Sequence, residues 1–211
     1  MTQNNGEDRA LTIVTRSLEL FLRNGYEETT MRMIQDATGL HSGSIYYVIN
    51  GKEGIILTVS EGFIGDIMCR SSRIAREIGD PRMNLLLPPA FLLYASSVSE
   101  CLSRLLRQMF RIDSVMELTT SMAKEWASRL DIREGYDLDG AVSFIYGGIG
   151  SLIRTGTDLR SGISTMLPFL SVLMGETGSD MLDIVERTVT EEDLPFYDMY
   201  ITEIDSMFGD E

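Results

Sequence analysis

Apolar positions along the chain recur at helical intervals. Leu11, Val14, Leu18, Phe21 and Leu22 form one stripe at helical spacing, and Gly25 supplies the stop expected just past a helix C-terminus. Thr29 or Thr30 can cap a second helix, whose inner face carries Met31 or Ile34 and Ala37 and which Gly39 ends. The turn Gly39-Leu40-His41 leads to a short segment, Ser42 to Ile49, and Asn50-Gly51 is a second turn signal. A long helix is expected from Lys52 to about Ile78, broken by Gly79-Asp80-Pro81. Further helices are expected at 89–109, 113–130, 137–157, 163–174, 180–190 and 194–208. Asp113, Asp137 and Asp180 are possible N-caps, and Gly135, Gly175 and Gly178 punctuate the ends. No stretch alternates at period two, and no repeat or low-complexity linker intervenes. The pattern predicts an all-α chain: a three-helix helix-turn-helix head over 7–66, with the motif at about 30–49, then a larger helical body over 67–211.

Composition narrows the function classes. The hydrophobic content, 44%, is enough for a real core. The longest apolar run, Leu85 to Leu93, is too short to span a bilayer and contains Pro88 and Pro89. Met1 to Arg9 is polar and lacks the apolar region of a secretory signal. With two cysteines, Cys69 and Cys101, and one histidine, His41, neither a disulfide framework nor a zinc site is expected. A reduced cytoplasmic setting with no cofactor and no membrane partner follows as the expectation. The net charge of −14 argues against a nonspecific nucleic-acid coat, but not against a DNA reader with a few well-placed basic groups.

A helix-turn-helix needs a buried first helix, a turn residue that tolerates positive φ, and small or polar side chains at the start of the reading helix. Gly39 meets the second requirement, and His41, Ser42, Gly43 and Ser44 meet the third. Ile45 and Ile49, four apart, can face the core. Tyr46 and Tyr47 offer hydroxyls to phosphates, with a place in the core as the alternative for Tyr46. His41 is either a base reader or an ordinary exposed turn residue. Lys52 offers a positive charge at the start of the next helix. Residues 1–54 hold five basic and seven acidic residues, so a phosphate-binding surface must come from segregation of charge, and its salt dependence should be shallow.

The ordered set Phe21-x3-Gly25, Thr29-Thr30, Gly39, Gly43-x2-Tyr46 and Lys52-Glu53 resembles the tetracycline-repressor (TetR) family over about 45 residues without a gap. The resemblance implies a DNA-binding regulator, not an enzyme. It implies phosphate contacts from Thr30, Arg32 and Lys52, base-edge contacts from Ser42, Gly43 and Ser44, and backbone or base contacts from Tyr46 and Tyr47. His41 stands where the family has a serine or threonine cap, a role Ser42 can take over, and Val48-Ile49-Asn50 replaces the family's usual stretch. The resemblance further implies a small-molecule cavity in the body, whose candidate walls are Phe91, Tyr94, Met109, Phe110, Met116, Met122, Trp126, Phe144 and Tyr146. Glu100, Glu117 or Asp139 can offset a cationic ligand or simply be solvated. It also implies a homodimer through the late helices, about 163–190, where Met166, Leu167, Phe169, Leu170, Val172, Leu173 and Met174 make a helix apolar on more than one side.

Several alternatives stay open at this level. Gly54, Gly62 and Gly65 mark either a loosely built fourth helix or a hinge, and Gly147, Gly148 and Gly150 either a bent helix or a close approach. The leading expectation is a repressor released from a palindromic operator by a small molecule. The competing one is a helical sensor or interaction module with a weakened DNA-binding head, motivated by the acidic balance of residues 1–54. An enzyme ranks last: the sequence offers no nucleophile–base pair, metal cluster or phosphate loop.

Overall fold

The computed structural model describes residues 3–129, 137–174 and 180–191. The expected helix at 194–208 and Gly135, Gly175 and Gly178 lie outside them, as do the side chains of Val172, Leu173 and Met174. The described residues form ten helices and no strand: α1 (Gln3–Asn24), α2 (Met31–Thr38), α3 (Ser42–Ile49), α4 (Gly51–Ile78), α5 (Met83–Val98), α6 (Glu100–Met109), α7 (Asp113–Ala127), α8 (Leu138–Thr155), α9 (Leu159–Met174) and α10 (Met181–Glu191). Among them, no helix is long and apolar enough to cross a membrane.

The head is α1 to α3 with the start of α4. At 22 residues, α1 is far from short. Its buried face is shifted from the stripe read in the sequence: Leu11 is 61% exposed, whereas Ile13 and Ser17 are buried with Leu18, Phe21 and Leu22. Ala37 is exposed too, so Ile34 is the residue by which α2 enters the core. At 28 residues, or roughly 42 Å at 1.5 Å per residue, α4 runs from head to body without a break and passes straight through residue 66. Its buried residues return every three or four positions from Ile55 to Ala75, and Gly79, at φ 76, ends it.

The expected helix at 89–109 is two helices. Ser99 is extended, and its hydroxyl accepts from the Leu102 amide, which starts α6 afresh. Pro88 and Pro89 lie inside α5 rather than at its start. Each removes an amide donor from the helix, a defect offset by burial: α5 is packed by α4, α6, α8, α9 and α10. Asp137 caps α8 through the Gly140 amide, as expected. Asp113 does not cap α7. It lies in the first turn, and Ile112 occupies the cap.

Candidate nucleic-acid interface

The α1–α2 turn is tied to the rest of the head by buried polar groups. The Thr29 hydroxyl donates to the Gly25 carbonyl at 2.8 Å and the Leu20 carbonyl at 3.2 Å. The Lys52 ammonium, reaching back from α4, donates to the carbonyls of Tyr26 at 2.9 Å, Glu27 at 3.4 Å and Thr29 at 2.9 Å. It also lies 4.3 Å from the centroid of the Tyr26 ring, which packs edge-on against Phe21. Burial lowers the Lys52 pKa, opposed by Glu27 and Glu28, and burial and Glu53 raise that of Tyr26. An ammonium has three protons, and here they point at three carbonyls. The geometry makes Lys52 a staple of the turn, a duty beyond the phosphate contact expected from sequence.

On α2, Thr30 is the N-cap. Its hydroxyl oxygen accepts from the Met33 amide at 3.3 Å, which leaves the hydroxyl proton free to face outward. Arg32 follows and is exposed. Gly39, at φ 68, then turns the chain.

Ile45 is the buried residue of α3, with Val48 and Ile49 partly buried beside it. The opposite face is presented outward: His41, Gly43, Ser44, Tyr46 and Tyr47 are exposed and Ser42 is half-exposed. His41 occupies the N-cap position, but its side chain makes no capping hydrogen bond, and Ser42 lies within the helix rather than replacing it. The amino end of α3 is therefore left without a side-chain cap, and the amides of Ser42 and Gly43 stay available to an anion, while that of Ser44 donates to the His41 carbonyl. Tyr47 is 92% exposed. Tyr46 is 53% exposed, not a core residue. Its ring is held against Gly51, where a Cβ would come within 2.6 Å of it.

The glycines separate by duty. Gly51 is required by that ring and by its φ of 75, and at Gly54 a Cβ would overlap the Ile49 carbonyl oxygen. At Gly43, by contrast, a Cβ would meet nothing within 4 Å, and the backbone there is ordinary helix. A glycine in a helix costs about 1 kcal/mol relative to alanine, and the fold has no use for it at 43. Gly62 also faces open space, and Gly65 makes only an ordinary contact with Met122.

The joint between head and body was not legible from sequence. The Arg104 guanidinium, on α6, donates to the carbonyls of Leu22 at 2.6 Å and Arg23 at 3.1 Å, at the end of α1. Gln108, one turn on, accepts from the Tyr26 amide at 2.6 Å. The Ser114 hydroxyl, on α7, donates to Glu53 at 2.7 Å. The spacing of Arg104 and Gln108 on an amphipathic α6 is the signal in the sequence that points to a shared task.

In the body, Phe91, Met109, Phe110 and Tyr146 are buried, and Tyr94, Met116, Met122 and Trp126 are partly buried against the same core. The Trp126 indole donates to the Ser72 hydroxyl at 3.1 Å, joining α7 to α4. Phe144 does not join them. It is 61% exposed and packs at a tilt against Phe169, with ring centroids 5.1 Å apart, across the outer face of α8 and α9. An apolar cleft of about 310 Å³ opens beside that pair, lined by Ile145, Gly148, Leu152 and Met166 among others. Gly147 and Gly148 face open space, whereas Gly150 faces inward, where a Cβ would lie 3.2 Å from Phe110 and 3.3 Å from Met116. α8 runs on through all three glycines. Glu117 is exposed, Asp139 is exposed beside Lys124 and Glu100 lies on an outer groove, so none of the three faces the core as a ligand counter-charge. Of the apolar residues of α10, Met181, Val185 and Val189 are buried within the chain and Leu182 and Ile184 partly so. Arg160 pairs with Asp183 and Glu186 to fasten α10 to α9. Of the segment expected to dimerise, α9 keeps an exposed apolar face and α10 does not. The helix beside that face is α8.

Residues 13–59 match the bacterial regulatory proteins of the tetR family. The chain is 35% identical over 66 residues to the HTH-type transcriptional repressor KstR2 of Rhodococcus jostii, a match that covers 31% of this chain and 32% of that protein. The matched segment thus spans about a third of the curated relative. Among solved structures, a TetR-family transcriptional regulator from Pectobacterium atrosepticum superposes with a TM-score of 0.61 at 17% identity, covering 84% of this chain and 100% of that one. RolR, solved with its ligand resorcinol, gives a TM-score of 0.63 at 13% identity, covering 90% and 97%. These two likenesses concern the fold.

Proposed function

We propose that this chain, whose residues 13–59 match the tetR family of bacterial regulatory proteins, is a homodimeric transcriptional repressor that binds a palindromic operator and is released by a small molecule. The observation that carries the reading is the amino end of α3. It rests on Ile45 and turns outward a set of residues, Gly43 above all, that the fold does not require. A bare backbone at an uncapped helix start suits close approach to a groove floor or a phosphate. Ser42, Ser44 and Tyr47 reach base edges, while Thr30, Arg32, His41 and Tyr46 flank them as contacts to the backbone or neighbouring bases. Lys52 acts from behind by holding the turn.

Two reading helices must meet successive turns of duplex, about 34–36 Å apart, which calls for two copies. The exposed Phe144–Phe169 face of α8 and α9, with Gly147 and Gly148 open beside it, supports a four-helix seam between them. The effector binds in the body, where Tyr94, Met122 and Trp126 are only partly buried. It acts by favouring a head separation that does not fit the operator. A shift of α6 or α7 would reach the head through Arg104, Gln108 and Ser114. Such a repressor works in the cytoplasm.

The acidic balance of the head favours a second reading, a helical sensor with a weakened DNA-binding head. Selection from a random duplex pool at low salt separates the two. Recovery of a palindrome is expected, and no enrichment over random DNA would sink the operator reading.

A further inference from the structure

A groove of about 680 Å³ lies on the outside of the molecule, between the end of α5, the outer face of α6 and the α8–α9 turn. It differs in character from both the core and the α8–α9 cleft. Its walls include Ser96, Ser97, Ser99, Ser103 and Thr157, and three arginines, Arg104, Arg107 and Arg111, line one side. Arg104 and Arg107, three apart, share one edge of α6, and Arg111 follows just past its end. In a chain with 18 basic and 32 acidic residues, three guanidinium groups in one groove run against the overall charge.

Their neighbours offset them only in part: two carboxylates line the groove against three guanidinium groups. Of the two carboxylates lining the groove, Asp158 accepts from the Ser161 amide at 2.9 Å, and its pKa is lowered by its hydrogen bonds to Ser161. Its charge is engaged at the start of α9. Glu100 stands one turn before Arg104 on α6, so its charge falls on that end of the groove, away from Arg107 and Arg111. Arg104 spends one nitrogen on the α1 carbonyls. Arg107 lies over Gly156, where a Cβ would come within 3.1 Å of it, so the glycine that ends α8 also makes room for this guanidinium. Arg111, just past α6, is exposed.

We propose that this groove is a second ligand site, separate from the apolar interior, for an anion of the phosphate class. Planar guanidinium forks pair bidentately with phosphate oxygens, and the hydroxyl-lined wall suits a polar group attached to the anion. Because Arg104 also holds the end of α1, the anion sits on the joint between body and head.

Titration calorimetry of the full chain, with no DNA present, tests this apart from the operator reading. Inorganic pyrophosphate and ATP are the probes. Saturable binding of pyrophosphate at millimolar concentration or below is expected. Tighter binding of ATP would assign the hydroxyl wall to an organic ester, and equal binding would assign the site to the free anion. Arg107→Ala/Arg111→Ala should weaken binding about tenfold or more, since each removes a charge-assisted contact. Arg111→Glu, at an exposed position beyond the helix, should abolish it while leaving the melting temperature unchanged. No saturable binding of either probe, or unchanged binding by both variants, overturns the proposal.

Discussion

On α3, one fully buried isoleucine holds the helix and the exposed face is left to side chains with little to do inside the chain. On α5, Met83, Leu85 to Leu93 and Ala95 are all buried, and only the last turn, from Ser96 on, comes to the surface. A helix held by one anchor can give the rest of its surface to a partner, and the residue types there report that partner. A helix buried on every side spends its residue types on packing. Its contribution to a ligand site cannot be separated from its contribution to the core. The same division runs through the glycines: Gly51 and Gly54 serve the fold, while Gly43 does not.

The sharpest way to break that division is to substitute glycines on the two sides of it. Gly54→Ala, which drives a methyl into the Ile49 carbonyl, should cost about 3 kcal/mol or more in urea denaturation. Gly62→Ala, facing open space, should gain up to about 1 kcal/mol. Equal effects would remove the distinction. Next in size is Phe169→Glu. If the α8–α9 face is the seam, two carboxylates would be buried near the twofold axis, and dimer affinity should fall about a hundredfold. Ultracentrifugation showing an unchanged dimer would move the seam elsewhere.

Lys52→Met addresses whether a basic residue in the head serves the fold or the DNA. As a staple, its loss should lower stability by about 2 kcal/mol. The slope of log affinity against log salt should hold steady, whereas a lost phosphate contact would reduce it by about 0.9. The smallest effect is alkaline. Burial raises the Tyr146 phenol above its ordinary 10.0, so the unfolded chain releases that proton first. Stability contributed by the neutral phenol is complete below about pH 10 and is lost as the pH climbs beyond it, by up to about 1.4 kcal/mol per pH unit. Tyr146→Phe should flatten that part of the fall, as measured by urea midpoints across the alkaline range.

The head was legible because its signals are local. Gly39 and Asn50-Gly51 announce the turns, Thr30 the cap, and the stripe through Leu18, Phe21 and Leu22 the buried face. The mistakes there were of phase, at Leu11, Ala37 and Ile13, where a short stripe admits two neighbouring faces. The stapling duty of Lys52 was missed because its partners are carbonyls more than twenty residues away, which leave no pattern in the sequence. The body was less legible for the same reason. The break at Ser99, the prolines carried inside α5 and the outward turn of Phe144 are set by what packs against each helix, not by its own periodicity. Aromatic type could not distinguish Phe91 in the core from Phe144 on the surface.

The central claim is that the amino end of α3 is shaped for a partner at the expense of its own helix. Gly43→Leu tests it most directly, with stability and affinity for a pool-selected operator measured on the same preparation. A better helix former set into open space should leave the melting temperature unchanged or raise it, while operator affinity falls about a hundredfold or more, as a side chain blocks the close approach. A variant that binds the operator as tightly as the parent chain would contradict the account.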